Sequence, residues 1–204
     1  MSKKEIIDQT KIAFEFIQKL YFEASYLIKE MEGLLSEENP PFVICRPSGY
    51  NISNRSSNGL EAAFVNLWLM RKFSVAFGPK ETTPTIQGVT KTPLLPDRKL
   101  IYVRVILDDK DITEPMVYSG VLYDFRKKTV EGKWPEKFEQ VMTTIEYNEA
   151  HIFADPNTID YENNNFGFKG RLSSMPLFDI DSSTALYDKI VKPAVKLFSE
   201  INPK

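Results

Sequence analysis

Residues 2–36, Ser-Lys-Lys-Glu-Ile-Ile-Asp-Gln-Thr-Lys-Ile-Ala-Phe-Glu-Phe-Ile-Gln-Lys-Leu-Tyr-Phe-Glu-Ala-Ser-Tyr-Leu-Ile-Lys-Glu-Met-Glu-Gly-Leu-Leu-Ser, decide the fold. One apolar series runs Ile6, Ala13, Leu20, Leu27, Leu34. A second runs Ile17, Ala24, Met31, with Thr10 as its polar member. A third, one step round, runs Ile7, Phe14, Tyr21, Ile28, Leu35. Spacings of three and four residues place all three on one side of a single long amphipathic helix. Ser2 and Glu5 form a capping box at its start. Asn39-Pro40-Pro41 ends it, because proline lacks the amide donor and restricts the residue before it.

That helix is about 52 Å long at 1.5 Å per residue. A compact chain of 204 residues has a diameter of roughly 43 Å. Uninterrupted, the helix would overhang its own domain by up to two turns, so it breaks near Gly33, lies along an elongated domain, or has part of its apolar face covered by another chain. Its apolar face takes three of every seven positions, wide enough for a sheet or a bundle.

Outward from the helix, Phe42 to Cys45 reads as a short buried strand. Arg46 to Gly59 is rich in serine, asparagine and glycine and reads as a surface loop. Leu60 to Phe77 begins with helical spacing and continues with strand alternation up to Gly78-Pro79. Thr82 to Pro96 is a threonine- and proline-rich connection. Leu100 to Leu107 is the clearest strand, and Met116 to Phe125 returns beside it as an antiparallel partner. Helical spacing recurs at Phe138, Val141, Met142 and Ile145. Glu149 to Phe153 and Phe166 to Leu172 read as strands, with polar loop from Asp155 to Asn165 between them. Ser182 or Ser183 caps a last helix through Ile201, kinked at Pro193. Helices at both ends with strands between predict one α+β domain over residues 1–204: helix 2–36, mainly sheet 42–172, helix 182–201. Both helices pack on a largely antiparallel sheet.

Hydrophobic residues make up 42% and charged residues 26% of the chain, a globular and not a disordered composition. A net charge of −2 disfavours nonspecific binding to nucleic acid or an anionic membrane, both of which need a basic field. No apolar run reaches the ~18 residues of a membrane helix, and the amphipathic start is no signal peptide. A cytoplasmic protein is expected. The single cysteine, Cys45, follows Phe42, Val43 and Ile44 and reads as a buried structural thiol.

Few residues invite chemistry. Glu146, Glu149, His151 and Asp155 form the one carboxylate–histidine neighbourhood, with the residue types of a small hydrolase or metal-dependent nuclease. A second nuclease-like pattern, Asp97 with Asp108-Asp109-Lys110, fails on distance. Eleven extended steps separate Asp97 from Asp108 by roughly 36 Å, far beyond a shared metal. Arg46, Ser48, Arg55 and Ser57 give the loop 46–59 the donors of a ligand- or nucleotide-binding module, without the spacing of a phosphate loop. Asp179 and Asp181 read as helix-start residues. Strand aromatics such as Tyr102, Phe125 and Phe168 lie near basic residues, as in a stacking platform for single strands, yet such rings more often pack a core. No metal or cofactor is expected. The favoured expectation is a non-enzymatic protein that self-associates or binds a protein partner through the first helix, at Ile6, Ala13, Ile17, Leu20, Leu27 and Met31.

Overall fold

The computed structural model describes residues 2–45, 50–52, 71–83, 98–127, 141–142, 144–145, 155–164 and 166–202. Helix α1 (Lys3–Ser36) forms as one uninterrupted element and passes through Gly33 without a break. Its capping box closes in both directions. Ser2 Oγ accepts from the Glu5 amide at 3.3 Å, and Glu5 Oε2 accepts from the Ser2 amide at 2.6 Å. Thr10, the polar member of its series, turns its hydroxyl back to the Ile6 carbonyl at 2.8 Å and so satisfies itself within the helix.

Among the described residues, seven strands form one antiparallel sheet: β1 (Phe42–Ile44), β2 (Tyr50–Ile52), β3 (Lys72–Pro79), β4 (Leu100–Ile106), β5 (Met116–Lys127), β6 (Ile159–Glu162) and β7 (Phe166–Pro176). Their order is β1-β3-β4-β5-β7-β6, and β2 pairs with β3 on the same edge as β1. The register of the central pair runs from Leu100 opposite Leu122 to Ile106 opposite Met116. All seven residues of β4 are buried, the signature of a strand covered on both faces.

The C-terminal helix comes in three pieces. Ser182 caps α2 (Ser183–Leu186) by accepting from the Ala185 amide. A wide π-turn follows over Tyr187–Val191, and α3 (Lys192–Glu200) completes it. Pro193 sits in the first turn of α3, directly after the π-turn, and the wider turn accommodates its missing donor. Lys99, just before β4, ties down the other end, where its ammonium donates to the carbonyls of Phe198 at 2.6 Å and Ile201 at 2.8 Å. These are carbonyls with no partner inside the helix.

Two apolar layers flank the sheet. On one face, Ile28, Met31 and Leu35 of α1 and Leu186, Ile190, Val191 and Ala194 of the C-terminal helix cover Val75, Phe77, Ile101, Val103, Val105 and Val117. Phe42 meets Phe198 edge to face at 4.9 Å, locking β1 to α3. The other face is buried as well. There Tyr102, Leu122, Phe125, Phe166 and Phe168 pack with Val141, Met142 and Ile145 from the helical residues 141–142 and 144–145.

Several expectations are corrected. The polar stretch 155–165 contains β6, because Ile159 and Tyr161 alternate with Asp160 and Glu162 and turn their rings and methyls onto the second layer. Strand β7 runs on to Pro176, four residues past Leu172, since β5 is long enough to pair with it throughout. Strand β3 includes Gly78 and Pro79, where proline is tolerated beside the short strand β1. A bulge bends β5 between Tyr123 and Arg126. Asp124 there adopts a φ of 52°, a conformation aspartate reaches more readily than most residues, and its carboxylate accepts from Lys169 at 3.1 Å.

Candidate functional site

Only the second half of α1 belongs to the core. Ala24, Ile28, Met31 and Leu35 are buried, while Ile17, Leu20, Tyr21, Leu27 and Leu34 are half-buried. From Ser2 to Phe16 every residue is exposed. Those fourteen helical residues from Lys3 onward extend about 21 Å, or four turns, twice the overhang that chain length predicts. The projecting half is nevertheless not polar. Ile6, Ile7, Ile12, Phe14 and Phe16 are between 44% and 65% exposed. Four of its six charged residues, Lys4, Asp8, Lys11 and Glu15, gather on one stripe, spaced four, three and four apart, with Lys3 and Glu5 beside it at the tip. Most of the remaining arc is apolar.

Of the interface residues expected from sequence, Ile6 and Ala13 lie on this projecting half. Ile17, Leu20 and Leu27 are half-buried where the helix meets the domain. Met31 is fully buried against the sheet and is thereby removed from the expected interface: its own chain covers it. Sequence periodicity assigns no role to Ile12, Phe16, Phe22 and Tyr26, which lie off the three apolar series yet are all more than 60% exposed. The signal for them is their residue type. A solvated helix face carries charged side chains where this one carries rings.

A groove of about 400 Å³ lies beside α1 where it enters the domain. Leu20 and Leu27 form one wall, and Phe178 and Ile180 from the connection between β7 and α2, with Leu186 of α2, form the other. The charged residues lining it are Glu23, Glu30 and Asp181, all acidic. Glu30 accepts from the Ser183 hydroxyl, and Asp181 from that of Ser182 at 3.2 Å. Asp181 therefore touches the capping residue of α2, while the backbone carbonyl of Asp179 accepts from Lys189 at 2.8 Å.

The candidate catalytic residues Glu146, Glu149 and His151 and the candidate ligand residues Arg46, Ser48, Arg55 and Ser57 lie outside the described residues, as does Asp97. Asp155 is exposed and accepts from the Asn157 amide at 3.1 Å, a turn-forming contact. Asp108 pairs with Arg71 at 3.2 Å, and Asp109 pairs with Lys72. Among the described residues no three His, Cys, Asp or Glu side chains group closely enough to hold a metal ion. Tyr102, Phe125 and Phe168 are buried in the second layer and present no stacking surface.

Among the groups whose ionisation is shifted by their surroundings are Asp109 and Cys45. Burial raises the carboxyl of Asp109, but the hydrogen bond and charge of Lys72, with the amides of Asp111 and Lys110, outweigh it and hold its pKa below the ordinary value. A depressed folded-state pKa contributes stability that is complete above the unfolded pKa of about 4 and is lost as pH falls through the folded value. Asp109→Asn is therefore expected to reduce unfolding free energy at pH 6 and to converge with the parent chain as pH falls through the folded-state value, measured by urea titration at each pH. The Cys45 thiol is pushed up to about 12 by burial, although Arg98 pulls the other way. It is expected to resist an aromatic disulfide reagent at pH 8 in the folded chain and to react at once in denaturant, since the thiolate is the reacting species.

The class defined by these features is an α+β fold, an antiparallel sheet between two apolar layers with one helix extending beyond its domain. Comparison with protein-family models, curated proteins and solved structures gives no match for this chain. Among the described residues, no helix is long and apolar enough to cross a membrane.

Proposed function

We propose that this chain is a cytosolic binding protein, not an enzyme, and that it self-associates through the projecting half of α1. The observation behind this reading is the exposure of Ile6, Ile7, Ile12, Phe14 and Phe16 on a helix that its own domain leaves bare. At full side-chain areas of ~200 Å² each, these five residues leave on the order of 600 Å² of mainly apolar surface in water, and Phe22 and Tyr26 enlarge it. A standard interface needs about 800 Å² from each partner, so the area suits a stable pair of chains. Such a patch equals the largest found on ordinary monomers. A free helix of four turns is also marginal in water without packing, so association stabilises the helix and covers its rings together.

Light scattering after size exclusion tests this. The expected mass is twice the 23.5 kDa of one chain, falling toward a single chain on dilution. A mass of one chain at every concentration up to the millimolar range would overturn it.

A further inference from the structure

We propose that a small cavity between the β5–β7 pair and α3 binds an oxyanion, the carboxylate or phosphate group of a small molecule. The site goes beyond self-association. Among the described residues none from α1 lines it, so it stands or falls apart from the projecting helix.

Strand register builds the site. Ser119 of β5 lies directly opposite Ser173 of β7, and Arg171 lies opposite Val121. Positions two apart on a strand share a face. Both serines and Arg171 therefore stand on the side of the sheet that carries Val117, beneath the C-terminal helix. Opposed side chains start about 5 Å apart and diagonal ones about 7–8 Å, which puts Ser119 within reach of the group that a guanidinium holds. Pro193 and Leu197 of α3 close the cavity from above, and Asn157 closes it from the side. The loop carrying Asn157 is fixed to β7, because the Leu172 amide donates to the Pro156 carbonyl at 2.7 Å.

The donors converge there without an acid. Ser119 is 3% exposed, and its hydroxyl has no hydrogen-bond partner among the described residues. A buried hydroxyl in that state is a cost to the fold, which a ligand oxygen accepting from it removes. Ser173 turns its own hydroxyl to the Ser119 carbonyl at 3.3 Å and leaves the Ser119 proton to the cavity. Lys169, Lys192 and Lys196 each pair with a carboxylate, whereas Arg171 has no ion-pair partner among the described residues. Asp155 accepts from the Asn157 amide, and among the described residues no carboxylate lines the cavity. A guanidinium fork with hydroxyl and amide donors beside it matches an oxyanion. The volume is about 200 Å³, below the ~300 Å³ at which pockets for drug-sized ligands begin. It suits one anionic group or a small acid and not a nucleotide.

Isothermal titration of the full chain with inorganic phosphate and, separately, with acetate tests the site, chloride holding the ionic strength constant. Saturable binding of one anion per chain is expected. Saturation by phosphate identifies a phosphate group, and saturation by acetate alone a carboxylate. Arg171 is exposed, so Arg171→Gln keeps the fold, and it is expected to weaken binding roughly tenfold or more by removing the charged donor. Ser119→Ala is expected to weaken binding about threefold or more and to leave the urea midpoint of the anion-free chain unchanged or higher, since it removes an unsatisfied hydroxyl. No saturation by either anion in the millimolar range, or binding that Arg171→Gln or Ser119→Ala leaves undiminished, overturns the site. A lowered midpoint for Ser119→Ala would mean that this hydroxyl serves the fold and not a ligand.

Discussion

A chain carrying Phe14→Glu and Phe16→Glu is expected to run as a monomer, with its dimer dissociation constant raised at least a hundredfold and its melting temperature as a monomer unchanged. Both rings are more than 60% exposed in the isolated chain, so removing them takes nothing from the core. Glutamate is as good a helix former as any residue it would replace here, and it leaves α1 intact. Phe14 and Phe16 stand two residues apart and face nearly opposite sides of the helix, so a partner packed along either side would withdraw a pair of carboxylates, one from each chain, from water without partners. Each buried unpaired charge costs several kcal/mol, well above the 2.7 kcal/mol of a hundredfold change. Light scattering reads the association, and circular dichroism melting at micromolar concentration reads the fold. Loss of helix or a fall in the monomer's melting temperature would mean that these rings serve the domain and not an interface.

The second large effect is expected at Gly120. It lies in β5 between Tyr102 of β4 and Leu172 of β7. A Cβ at that position would fall 2.0 Å from the Arg171 carbonyl oxygen and 2.8 Å from the Leu172 Cα. Both neighbours are backbone of the longest strand pair in the sheet, so neither can swing aside as a side chain would. Gly120→Val is expected to cost more than about 3 kcal/mol, the upper range of overpacking penalties, out of a total of 5–15 for a typical domain. The urea midpoint measures it. Gly33 supplies the opposite case. Nothing lies within 4 Å of a Cβ there, and the residue is inside α1. Gly33→Ala is expected to stabilise the chain by about 0.5–1 kcal/mol, because glycine loses more backbone freedom than alanine on entering a helix. A wild-type midpoint for Gly120→Val would mean that β5 and β7 can separate locally.

Much of the fold is written in short-range pattern. The capping box at Ser2 and Glu5, the heptad-like spacing from Ile6 to Leu35 and the unbroken apolar run from Leu100 to Ile106 each act within one element. The helix and the central strand could therefore be read directly. Strand β6 had its alternation at Ile159 and Tyr161, but charged and polar neighbours disguised it, since an edge strand shows only one side to the core. The π-turn at Tyr187–Val191 left no pattern, because it adjusts the C-terminal helix to the sheet beneath.

The candidate interface divides in the same way. Sequence by itself determined that α1 has an apolar face, and that a helix of its length exceeds a compact domain of this size. It could not determine where along the helix the domain ends, because Ile6, Ala13, Leu20, Leu27 and Met31 belong to the same apolar stripe in the periodic pattern. Only tertiary packing separated them, burying Met31 under the sheet's helical layer and leaving Ile6 in water. The groove is likewise tertiary. Glu23 and Asp181 are 158 residues apart in the chain and come to line one cleft only because β7 returns the chain to α1 before the last helix begins. Periodicity is a property of neighbours three and four residues apart. Which part of a periodic face is covered depends on how far the rest of the chain reaches.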